Sequence, residues 1–198
     1  MHEKNKELGM ELKEVILEGT IKVFNKKGLK FTMDDIAKTL GMSKKTIYKV
    51  FCDKESMFYA MVDYMFDCIK ESERHIVEDA SLSTLKKIRK VLGVMPEGYR
   101  DVDFRKLYQL KDKYPAVYRK VEQRLETGWE ETIALLEQGM AEGCIRQVPI
   151  PLVKMMLEAS LEQFFQRDIL IQSKISYLDG LDEVVGILMD GIAVHADQ

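Results

Sequence analysis

The chain has 198 residues, 46% hydrophobic and 32% charged, and 30 lysines and arginines against 33 acids leave a formal charge of −3. That is too apolar for a disordered chain and enough for a real core, while no run of about eighteen apolar residues offers a membrane span. Cys52, Cys68 and Cys144 are widely spaced with no paired C-x-x-C, which excludes a disulfide framework and a zinc site.

The opening MHEKNKELGM is polar and has no secretory pattern, so a cytoplasmic protein is expected. Few prolines and almost no alternating stretches point to an all-α fold of about nine helices. A first helix is expected over residues 4–27, carried by Leu8, Leu12, Val15, Ile16, Ile21, Val23 and Phe24 and closed by Gly28. Phe24 and Leu29 are expected to pack beneath the two helices predicted between Thr32 and Phe51.

Those two helical patterns are short. Thr32 can cap the first, with Asp34 and Asp35 where negative charge suits a helix start, and Met33, Ile36, Ala37 and Leu40 form one apolar face. Gly41 ends it and Ser43 caps the second, whose Ile47, Val50 and Phe51 face inward while Lys44, Lys45, Tyr48 and Lys49 stay outside. Two helices joined so briefly cross steeply, as in a helix-turn-helix, and the second is the reading helix. Between Thr20 and Lys54 nine lysines oppose three acids, giving +6 within a chain of net −3. A local basic module of this kind is the footprint of a DNA reader.

The stretch GMSKKTIYKVFCDKESM, preceded by TMDDIAKTL, resembles the DNA-binding signature of the TetR family of transcriptional regulators. Gly41, Met42, Ser43, Lys44, Thr46, Ile47, Tyr48, Phe51, Lys54 and Glu55 fit the family pattern in register. Lys45 and Val50 depart from it, where a small residue and an aromatic ring are common, and bear on base preference. The resemblance implies an N-terminal three-helix DNA-binding domain over residues 1–53 and a C-terminal helical bundle over residues 54–198 for ligand binding and dimerisation. Lys44, Lys45, Thr46 and Lys49 are expected at base edges or adjacent backbone, and Thr32, Ser43, Tyr48 and Lys54 as phosphate clamps.

A helix starting near Lys54, capped by Asp53, is apolar on more than one face through Met57, Phe58, Met61, Val62, Met65 and Ile69, so it is expected to bridge the two domains. The pattern resumes at Leu82, Leu85, Ile88, Val91 and Leu92 and breaks at GVMPEGYR. A short helix holds Phe104, Leu107, Tyr108 and Leu110. One long helix is then expected from Pro115 to Gly143, a connector at IRQVPIP, and two last helices running from Leu152 to Ile169 and from Leu178 to Ile192.

In the family the last two helices form a four-helix dimer interface, which here nominates Leu157, Leu161, Leu181, Val184, Val185, Leu188 and Ile192. Methionines and aromatics tolerate irregular apolar space, and with the family resemblance they nominate a ligand pocket of Met61, Met65, Phe104, Tyr108, Trp129, Met140, Phe164 and Phe165.

Catalysis finds no support. His2, His75 and His195 are scattered, and no nucleophile elbow or phosphate-binding loop is present, so neither enzyme activity, metal nor cofactor is expected. The resemblance implies a homodimeric repressor that binds a near-palindromic operator in double-stranded DNA and is released by a small apolar or amphipathic ligand. The alternatives are an architectural DNA-binding factor without a ligand and a helical interaction protein with a vestigial reader.

Overall fold

The computed structural model describes the backbone of residues 2–100 and 102–194, and side chains from Met10 onward within those limits. Leu8, His2 and His195 therefore fall outside the described side chains.

The fold is all-helical. Its helices are α1 (His2–Lys27), α2 (Met33–Leu40), α3 (Lys44–Tyr48), α4 (Lys54–Glu78), α5 (Thr84–Leu92), α6 (Arg105–Tyr108), α7 (Leu110–Lys113), α8 (Pro115–Glu126), α9 (Glu130–Ala141), α10 (Ile150–Gln166), α11 (Ile169–Gln172) and α12 (Tyr177–Ile192). Nine of these have five or more residues, and α6, α7 and α11 are single turns of four. Extended pairing among the described residues is confined to one isolated bridge, Ile145 with Ala193.

The long helix expected from Pro115 to Gly143 is two helices. Gly128 takes φ +79 between α8 and α9, a left-handed backbone that stops a helix. Lys70 lies close against that glycine and donates from Nζ to its carbonyl at 2.5 Å. The connector also ends earlier than expected, because Pro151 sits in the first turn of α10, where a missing N–H costs nothing.

Two compact units divide the chain, one of residues 1–67 with 101–122 and one of residues 68–100 with 123–198. They cut across the expected division at residue 53, and α4 contributes to both. The first unit is built on an aromatic cluster: the Phe24 and Phe31 rings lie 5.4 and 5.3 Å from Phe58, and Tyr114 lies 5.2 Å from it. Edge-on rings at this spacing add to the burial of large side chains. The second unit's core gathers Ile88, Val91, Leu92, Leu135, Leu136, Val153, Leu157, Leu181, Val185 and Leu188 from α5, α9, α10 and α12.

Candidate nucleic-acid interface

Helix α2 is fixed at both ends by local chemistry. Thr32 Oγ1 accepts from the Asp35 N–H at 3.3 Å, and Asp35 Oδ2 accepts from the Thr32 N–H at 2.8 Å, a reciprocal capping box. Asp35 also accepts from Lys27 Nζ at 2.6 Å. That lysine first, and the Thr32 N–H next, hold the Asp35 carboxyl down at about 2. At the other end Gly41 takes φ +63, and the Met42 and Gly41 N–H groups return to the carbonyls of Ala37 and Lys38 at 3.0 and 3.4 Å. A side chain with a Cβ takes this turn only at a cost, so the break between the helices is written into Gly41.

Helix α3 opens on Ser43, whose Oγ accepts from the Thr46 N–H at 3.1 Å and lies 2.9 Å from Thr46 Oγ1. The helix proper is short, and the Val50 and Phe51 N–H groups continue it through the Ile47 carbonyl at 2.9 Å each. Ile47 and Phe51 are buried beneath it.

The expected contact residues divide by what already holds them. Lys44 Nζ lies 3.1 Å from Asp34 Oδ1 on the exterior. Thr32, Ser43 and Thr46 are engaged in caps. Lys45, Tyr48 and Lys49 are exposed, and no hydrogen bond or ion pair among the described residues holds their side chains. Lys54 differs from all of these: its Nζ donates to the carbonyls of Leu29 and Phe31 at 2.7 and 2.5 Å. Sequence reasoning singled out neither Lys27 nor the pairing roles of Asp34 and Asp35, although Thr32-x-x-Asp35 has the spacing of a capping box.

The helix pair lies inside the part of the chain, residues 16–61, that matches the family model of bacterial regulatory proteins of the tetR family. An uncharacterized HTH-type transcriptional regulator of Bacillus subtilis strain 168, YvaF, is 28% identical over 182 residues, spanning 92% of this chain and 96% of that protein. Together these matches support a TetR-family transcriptional regulator. A second uncharacterized HTH-type regulator of the same organism, YerO, is 31% identical over 93 residues, covering 46% of this chain and 32% of its own length. The fold is that of solved family structures. One TetR-family regulator from Cytophaga hutchinsonii superposes with a TM-score of 0.72 at 20% identity, covering 95% of this chain and 98% of that one. Bacillus subtilis FadR, solved with stearoyl-CoA, superposes at 0.65 and 17% identity, covering 92% and 99%. The family match and these relatives support a non-enzymatic DNA-binding transcription regulator.

The residues nominated for the dimer face are mostly interior. Leu157, Leu181, Val185, Leu188 and Ile192 belong to the core of the second unit, while Leu161 and Val184 are half-buried at its edge. The exposed apolar surface on the same two helices is carried by others: Leu152, Met155 and Met156 on α10 and Ile187 on α12, the last 63% exposed. The i, i+3, i+4 spacing of the first three is a signal the sequence carries.

The nominated pocket residues do not form one group within either unit. Met61, Met65 and Phe104 are buried, and Tyr108 half-buried, in the first unit. Phe164 and Phe165 are buried, and Trp129 and Met140 half-buried, in the second. An open cleft of about 470 Å³ in the second unit is lined instead by Ile76, Lys90, Val94, Met95, Arg100, Leu178, Asp179 and Asp182, with Gly93. No helix among the described residues is long and apolar enough to cross a membrane.

Proposed function

We propose that the protein is a homodimeric repressor whose two α3 helices enter successive major grooves of a near-palindromic operator. The observation that carries this is the capped helix pair, which leaves Lys45, Tyr48 and Lys49 exposed and unengaged on the outer side of α3. Lysine ammonium groups suit guanine edges and phosphates, and a tyrosine hydroxyl suits a phosphate oxygen. Lys44 and Thr46 join the base side after releasing their intramolecular partners, and Thr32 and Ser43 meet the phosphates that flank the groove. A two-fold protein matches a two-fold operator, with half-sites about 34–36 Å apart.

Dimerisation is supported by the unpartnered apolar stripe of Leu152, Met155 and Met156 on α10 and Ile187 on α12, helices that pack against each other. A face of that kind needs covering in water, and a second copy supplies a self-complementary cover. Release by a small amphipathic ligand is supported by the FadR neighbour, which was solved with stearoyl-CoA in the same fold. Such a ligand acts by binding better to the dimer whose readers are wrongly spaced, and its effect cannot exceed that difference in affinity.

Selection of random duplex DNA by the purified protein at about 150 mM salt tests the reading, because non-specific phosphate binding is already weak there. A palindrome is expected, and release of the selected duplex then serves to screen amphipathic acyl compounds. A pool without enrichment sinks the sequence-specific reading and favours the interaction protein.

A further inference from the structure

Lys54 is the first residue of α4, directly after the reading segment, yet its ammonium faces the protein. Nζ donates to the Leu29 carbonyl at 2.7 Å and to the Phe31 carbonyl at 2.5 Å. It also stands 4.0 Å from the centre of the Phe31 ring and 5.6 Å from that of Phe58. Leu29 and Phe31 belong to the turn that delivers the chain to Thr32, the cap of α2. One side chain therefore joins the chain just before the reading segment to the chain just after it.

The chemistry favours this inward pose. Carbonyls at the end of a short helical turn lack partners of their own, and an ammonium supplies three donors in charge-assisted bonds. Ring faces on Phe31 and Phe58 add cation–π attraction. Burial lowers the Lys54 ammonium's proton affinity, Lys113 lowers it further by like-charge repulsion, and Asp35 opposes both. An ammonium that swung out to a phosphate would leave the Leu29 and Phe31 carbonyls without it.

We propose that Lys54 is a positioning residue, a clasp that closes the two ends of the reading segment and sets α2 and α3 against the first turn of α4. The clasp rests on the reading that α3 enters a major groove. Its role is to present Lys45, Tyr48 and Lys49 in one register, so what it protects is discrimination between sequences. A phosphate clamp at the same position would act on all sequences alike.

The test compares wild type with Lys54→Met, which keeps the length and apolar stem but removes the donors. Fluorescence anisotropy is measured across a salt series on the duplex enriched by wild type and on a scrambled duplex. The clasp predicts that specific affinity falls roughly tenfold, the loss of about one base-pair contact, while non-specific affinity and both salt slopes stay as in wild type. A slope reduced by about one, with both affinities falling together, makes Lys54 a phosphate contact and overturns the clasp. An unchanged ratio of specific to non-specific binding in a folded variant makes it a stabilising contact only and overturns it equally. Circular dichroism establishes folding, and Lys54→Gln, which retains one amide donor, carries the same comparison if Lys54→Met does not fold. A wild type that prefers no sequence overturns the groove reading itself, a result distinct from any difference between variants.

Discussion

The segment from Thr32 to Lys54 and the helix pair α10 with α12 carry different kinds of information. In the reading segment each turn is decided by neighbours a few residues away: Thr32 with Asp35, Gly41 with Ala37 and Lys38, Ser43 with Thr46. In α10 and α12 most positions are apolar, and what decides a residue's role is which neighbour covers it. Local chemistry can be read from a string of residues, whereas the partition of an apolar helix between its own core and an outer face is a tertiary fact.

The largest test of that difference is to charge the outer face. Met155→Glu with Ile187→Glu places two carboxylates on surface that is already exposed in the single chain, so the fold should persist. Sedimentation velocity is expected to show a monomer, and operator affinity should fall by roughly 10²–10⁴ as the second half-site loses its tethering. A dimer that survives both changes moves the interface elsewhere.

Leu157→Ala sharpens the same contrast from inside. Leu157 is 3% exposed within the core of the second unit, so truncation should cost roughly 2–5 kcal/mol in chemical denaturation. The variant that remains folded should keep its dimer. Should Leu157→Ala dissociate the dimer without loss of stability, the burial seen in one chain does not describe its role.

These outcomes bear on why legibility is uneven along the chain. The caps at Thr32 and Ser43, the break at Gly41 and the buried Ile47 and Phe51 are all legible from spacing, because each cap and turn depends on contacts of five residues or fewer. Asp53 is likewise legible as a cap, and its Oδ1 accepts from the Ser56 N–H at 2.7 Å. The break at Gly128 is hidden, since the apolar spacing runs through it and the Lys70 contact comes from a helix more than fifty residues earlier. The inward pose of Lys54 is hidden for the same reason: its partners lie 23 and 25 residues back.

Within the reading helix, Lys45→Gly tests whether an exposed and unengaged side chain reads bases. Repeating the selection with the variant should shift the preferred base pair at one position of each half-site, a discrimination worth about 1–3 kcal/mol. An identical palindrome would assign Lys45 to the backbone and leave Lys44, Thr46 and Lys49 to carry the readout.

The smallest effect concerns how local the reader's own stability is. The Asp35 carboxyl is held from an ordinary 3.8 down to about 2 by the Lys27 ammonium and the Thr32 N–H. The folded chain thus gives up that proton more readily than the unfolded one. The contribution is complete above about pH 4 and is lost as pH falls from there towards 2. Asp35→Asn removes the charge, so the stability gap between wild type and variant should be constant at neutral pH and close through that acid window. Urea unfolding at a series of pH values measures the gap. A gap that stays open below about pH 2 would mean that the capping box stabilises α2 through shape and hydrogen bonding, with the Lys27 ion pair adding nothing measurable at this exposed site.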